Sequence, residues 1–169
     1  MSVTLAGPLA DRSTWSTEEC SIGKAMAVVG SRTAMLLLRE AFYGTTRFDD
    51  FAERVGVTDA VAAARLKKLV ALGIFEKRPY REPGQRTRHE YLLTDMGRDL
   101  FPAVFALMQW GNAHLQPAGG PLALVERTSG QPVTVEARAA SGERIAVEDV
   151  SVRVNLAWLE ETSPGERQR

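Results

Sequence analysis

Apolar residues recur at three- and four-residue spacing through the first two thirds of the chain and then give way to short strand-like runs, so the sequence predicts a mainly helical body followed by β structure. Ser16 and Glu19 fit a capping box, opening a helix expected to run to Val29 before Gly30-Ser31 closes it. A second helix is expected over 32–42, with Ala34, Leu37, Leu38, Ala41 and Phe42 on its apolar face and Gly44 as its stop. Phe48, Phe51, Ala52 and Val55 share helical spacing in a short third helix, 49–55, which Gly56 ends. Val57-Thr58 forms a turn, and Thr58 caps a fourth helix, 59–72, whose inward face is Ala62, Leu66 and Leu69.

Two strand-like runs follow, 74–80 and 87–93, joined by a tip over 81–86 that carries Pro83-Gly84. Helix, tight turn, helix and hairpin in that order define a winged helix-turn-helix: mainly α with a β-hairpin wing. The outward face of the fourth helix offers Ala60, Ala63, Ala64 and Lys67, with Arg65 and Lys68 at its margins. Small residues there allow the backbone to approach a major groove closely. From Ala60 to Glu90 eight lysines and arginines meet three acids, a net charge of +5 in a chain whose total is zero. A charged hairpin can also be a merely solvated face. The order of elements favours double-stranded DNA, with Thr58, Ala60, Ala63, Ala64, Arg65, Lys67 and Lys68 at bases and flanking phosphates. Arg81, Arg86 and Arg88 of the wing would reach the adjacent minor groove or backbone.

A long last helix is expected from Thr94-Asp95 to about Leu115, kinked at Pro102. Its stripe of Leu100, Val104, Leu107, Met108 and Trp110, widened by Phe101 and Phe105, exceeds what one flank of a small core needs and reads as a homodimer surface, the other reading being that it folds back on its own domain. From Pro117 the composition shifts. Runs at 122–125, 132–135, 144–147 and 150–154 predict a small C-terminal β module, packed through Val125, Val133, Val135, Ile145, Val147 and Trp158. The expected organisation is a flexible arm (1–15), the winged domain (16–116), the β module (117–161) and a disordered end (162–169).

No run approaches the roughly 18 to 20 apolar residues of a membrane span, and the first eleven residues lack the pattern of a secretory signal, so a cytoplasmic protein is expected. Two histidines, no glycine-rich phosphate loop and no metal cluster leave no case for an enzyme or a bound cofactor. A protein-binding winged helix with only nonspecific DNA affinity is the competing reading, but it predicts an acidic or apolar face where Arg65, Lys67, Arg86 and Arg88 stand.

Several of these residues together resemble the HxlR-type, MarR-like winged-helix transcriptional regulators of bacteria. The resemblance covers Cys20 to about Leu115 and rests on Val29-Gly30, the Leu36-Leu37-Leu38-Arg39-Glu40 run, Arg47-Phe48 ahead of Phe51, the Arg65-Leu66-Lys67-Lys68-Leu69 segment, Gly73-Ile74, His89-Glu90-Tyr91, Leu93-Thr94 and Gly97. The sequence departs at Thr33, where the family commonly has tryptophan. The resemblance implies a homodimer on a roughly palindromic operator; repression is the commoner use of such a dimer, and the expected effector is an electrophile or oxidant, or else a small ligand. It also implies a sensing role for Cys20, the single cysteine, which near a helix N-terminus with Lys24 one turn on is physically permissive, although lone cysteines also serve as small buried hydrophobes. In the tail, Ser129-Gly130 and Ser141-Gly142 resemble the knuckles of a zinc ribbon without its cysteines. Serine does not replace thiolate as a zinc ligand, so either a metal-free ribbon or an unrelated β meander is expected.

Overall fold

The computed structural model describes residues 2–7, 11 and 16–157. It divides into two compact units: Glu19–Val135, and the described residues of Met1–Glu18 with Glu136–Arg169.

In the larger unit, α1 (Ser21–Val29) and α2 (Arg32–Phe42) precede the pair α3 (Phe48–Val55) and α4 (Asp59–Ala71). Serine and threonine set two of the starts: Ser31 Oγ accepts from the Ala34 amide and Thr58 Oγ1 from the Val61 amide. Glycine sets the stops of α3 and α4. Gly56 and Gly73 adopt φ of 69° and 75°, and in each case the next residue reaches back across the last turn, Val57 N–H to Ala52 O at 3.2 Å and Ile74 N–H to Leu69 O at 2.9 Å. These two caps turn the chain sharply twice, which places α4 across α3 and sends the chain from α4 directly into the wing.

The wing is β2 (Phe75–Tyr80) paired antiparallel with β3 (Arg88–Leu93), in register from Phe75↔Leu93 to Tyr80↔Arg88. Its tip turns at Glu82-Pro83-Gly84-Gln85, with Gly84 at φ 75° and Gln85 N–H on Glu82 O at 3.1 Å. Beneath it lies the core: Leu37, Leu38, Phe51, Leu66, Leu69 and Phe75 are fully buried, and Phe51 meets Phe75 and Tyr91 edge-on at 6.0 and 6.4 Å.

Three expectations about helices are corrected. The first helix does not begin at the Ser16 capping box: residues 17–19 make one 3-10 turn, α1 starts after Cys20, and the Glu19 carboxylate pairs with Lys24. The long last helix is two, α5 (Asp95–Arg98) and α6 (Phe101–His114). The break at Asp99-Leu100 falls just before Pro102, which lies in the first turn of α6, where its missing N–H has no helical partner to lose. The stripe read as a dimer surface is in large part core. Val104 and Phe105 are buried and Leu100 and Met108 pack beside them, with Phe42 meeting Phe101 and Phe105 at 5.6 and 5.7 Å. Leu107 and Trp110 stay more than half exposed.

The unit continues to Val135 because the segment after α6 is fastened back onto that helix. Gln109 holds Val135 from both sides of its amide, Nε2 to the carbonyl at 3.3 Å and Oε1 from the N–H at 2.9 Å, and Asn112 Nδ2 donates to Leu122 O at 3.2 Å. The runs at 122–125 and 132–135 face each other through one bridge, Val125↔Pro132, rather than forming strands. Pro132 brings no donor to such a ladder.

In the smaller unit, Thr4–Leu5, expected in a loose arm, form β1 and pair in parallel with β4 (Ser151–Val152). The run at 144–147 meets the preceding segment through the single bridge Arg138↔Arg144, and Val147–Asp149 is a 3-10 turn. Expectations for Trp158 and for 162–169 fall outside the described residues.

Candidate nucleic-acid interface

With Ala62, Leu66 and Leu69 turned into the core, α4 must show the opposite face to solvent. Ala60, Val61, Ala63, Ala64, Lys67 and Lys68 are exposed, and Arg65 is half-buried at the margin. Thr58 stands at the N-cap, so the first turn of α4 carries open main-chain donors beside short side chains.

The wing adds charge, and most of its acids are already engaged. Glu76 pairs with Arg78 at 2.7 Å, Glu82 lies 3.8 Å from Arg47, and Asp49 of α3 pairs with Arg88 at 3.2 Å. Arg81 donates through Nε to Gln85 O within the tip. Arg65, Lys67, Lys77 and Arg86 make no ion pair or hydrogen bond among the described residues. Lys68 is different, since its ammonium donates to the Ala27 carbonyl at the end of α1.

Of the residues picked from sequence, those of α4 and the wing therefore share one unit and all but Arg65 are exposed, but Lys68, Arg81 and Arg88 have protein partners. Arg47 was overlooked as a site residue. It precedes α3, its guanidinium carbon lies 3.3 Å from the centre of the Tyr80 ring, and no local signal in the sequence hinted at the contact. Under the wing, burial pushes the Tyr91 phenol up, so the hydroxyl stays neutral over the ordinary pH range.

Cys20 is half-buried and occupies the N-cap position of α1, without a side-chain cap bond. Ile22 and Met26, further along α1, are exposed, as are Leu107 and Trp110 on α6.

A three-helix core with a helix-turn-helix and a cationic hairpin wing is the architecture of a winged-helix DNA-binding regulator. The HxlR-like helix-turn-helix family matches residues 28–118, and the chain belongs to that family. Over 112 residues it is 45% identical to an uncharacterised HTH-type transcriptional regulator of Mycobacterium tuberculosis, covering 66% of this chain and 70% of that one. Among solved structures it is similar to PA1607, described as a transcription factor, at 39% identity and a TM-score of 0.71, covering 80% of this chain and 95% of the other. The reduced form of the redox regulator HypR superposes with a TM-score of 0.51 at 26% identity, over 56% of this chain and 93% of that one. The chain is thus an HTH-type transcriptional regulator and not an enzyme.

Proposed function

We propose that the protein acts in the cytoplasm as a homodimer that represses transcription by occupying a roughly palindromic operator. Each α4 lies in a major groove, with Thr58, Ala60, Ala63, Ala64, Arg65 and Lys67 at or near bases and phosphates, while Arg81, Arg86 and Arg88 carry the wing to the adjacent minor groove or backbone. The observation that supports this most directly is the division of charges: Glu76, Glu82 and Asp49 are matched to Arg78, Arg47 and Arg88, while Arg65, Lys67, Lys77 and Arg86 on α4 and the hairpin have no ion-pair partner among the described residues. The second copy packs on the exposed apolar residues Ile22 and Met26 of α1 and Leu107 and Trp110 of α6.

The test is selection of bound fragments from genomic DNA, followed by fluorescence-anisotropy titration of the winner against random DNA at two salt concentrations. A palindromic winner bound far more tightly than random DNA is the expected result. Weak, strongly salt-dependent binding to every sequence would remove the operator from the proposal.

Effector control is the second part of the proposal. An open hollow between the end of α2 and the base of the wing, lined by Phe42, Tyr91 and Phe101 together with Glu76, Arg78 and Arg98, is the surface offered to a small molecule. Cys20, half-buried at the N-cap of α1, is the single thiol of the chain and the site offered to an electrophile. Diamide should then release DNA from the parent protein and not from Cys20→Ser, and equal release from both would end the thiol reading.

A further inference from the structure

The free end of the wing is pinned to the start of α3 at two opposed positions. Tyr80 is the last residue of β2, Arg88 is the first of β3, and the two face each other in the register. Tyr80 is covered by the guanidinium of Arg47, 3.3 Å from its ring centre, and Arg88 is paired with Asp49 at 3.2 Å. The main chain runs alongside, with a bridge between Arg47 and Glu90 and the Tyr91 N–H on Thr46 O at 2.8 Å. The two pins differ in strength. Both members of the Arg88–Asp49 pair are more than half exposed, so water and salt screen it to little effect. Arg47 is more enclosed: its Nη1 is buried and, among the described residues, is the one buried side-chain nitrogen or oxygen without a hydrogen-bond partner. Its one ion pair among the described residues is the long contact with Glu82 at 3.8 Å, so the Tyr80 ring face adds compensation for that charge.

We propose, resting on the DNA-binding reading above, that Arg47 and Tyr80 are positioning residues for operator recognition: their stack fixes the wing against α3 and so decides whether Arg81 and Arg86 of the tip meet phosphate. Tyr80 itself carries no charge and need touch no DNA. Arg47→Lys keeps the charge but loses the flat face that stacks, so the two cations are not interchangeable here.

The experiment is salt-dependent anisotropy on the full-length chain and the operator fragment it selects, with the urea midpoint measured for each variant. Tyr80→Leu removes no charge, yet it should weaken operator binding about fivefold to thirtyfold, the range of a partly desolvated cation–π contact. It should also lower the salt slope, because wing cations swing away from phosphate. Tyr80→Phe should restore both, and Tyr80→Leu combined with Arg47→Gln should be no weaker than either alone. A retained urea midpoint excludes simple unfolding as the cause. Parental affinity and slope in Tyr80→Leu would overturn the proposal, as would a slope lost only in Arg47→Gln, which would make Arg47 a phosphate contact instead. If the parent shows no operator preference, the DNA-binding reading falls. The stack is then judged separately by hydrogen exchange at the wing amides, which Tyr80→Leu should accelerate and an idle stack would leave unchanged.

Discussion

The ammonium of Lys68 on α4 donates to the carbonyl of Ala27 in the last turn of α1, at 3.2 Å, while Lys67, one position earlier, has no partner among the described residues. Two adjacent lysines on the reading helix thus serve different surfaces. Lys67→Met and Arg86→Ala should each weaken binding to all DNA and flatten the salt slope by about 1, the effect of losing one phosphate contact. Lys68→Met should leave the slope closer to that of the parent. Anisotropy at four salt concentrations checks this, and equal slopes for both methionine variants would contradict the separation.

Gly97 on α5 sits where no side chain fits: a Cβ there would lie 2.2 Å from the Ile74 carbonyl oxygen and 3.0 Å from Leu93 Cδ2. The carbonyl is main chain and is also the acceptor of the Thr94 N–H, so it cannot turn away freely. Gly97→Ala should destabilise the fold by about 1–3 kcal/mol, the usual cost of overpacking. Urea denaturation of the two proteins measures it, and an unchanged midpoint would show that α5 shifts without cost.

The two faces of α6 predict two different kinds of damage. Phe105→Ala opens the core around Phe42 and should cost about 3–5 kcal/mol. Trp110→Lys and Leu107→Lys alter exposed residues, so they should leave the thermal midpoint of the monomer nearly unchanged and dissociate the proposed dimer. Light scattering at several concentrations distinguishes the outcomes, and dimers persisting in both lysine variants would move the interface elsewhere.

Glu126 gives a pH prediction. The Ser129 hydroxyl, helped by the Ser129 and Thr128 amides, donates to its carboxylate and holds it below the usual glutamate range. The ionised form is the one the turn favours, so this contribution is present above the ordinary glutamate range and lost as pH falls through the lowered value. Ser129→Ala should raise the titration of Glu126 toward normal, read from its side-chain carboxyl resonance by NMR, and an unmoved titration would mean the hydroxyl is idle.

The elements that sequence conveyed were those whose signals are local. Thr58 as a cap, Gly56 and Gly73 as stops, the inward Ala62-Leu66-Leu69 face and the Pro83-Gly84 tip depend on neighbours within a few residues, and they stand within a residue of where periodicity put them. What sequence did not convey depended on distant partners. Val104 and Phe105 read as surplus hydrophobicity because their partner, Phe42, lies some sixty residues earlier in the chain. The capping-box pattern at Ser16 yields only a 3-10 turn, in which the Ser16 hydroxyl accepts from the Glu18 amide at 3.2 Å while the Glu19 carboxylate pairs with Lys24. Among the site residues, Arg88 and Lys68 looked free because Asp49 and Ala27 approach only through the fold, and Arg47, part of the Arg47-Phe48 motif, gave no sign of its stack because Tyr80 lies 33 residues on.

The amide of Gln109 has a consequence for how this chain came to be longer than its winged domain. The family match ends at 118, yet Gln109, inside it, grips Val135 outside it with a donor and an acceptor at once, as a neighbouring strand would. A helix surface therefore acquires a strand-docking edge at Gln109, supplemented by Asn112 on Leu122. The extension is thus attached through two polar positions on α6, Gln109 and Asn112, as well as through apolar packing of Leu124 and Val135 beside the core.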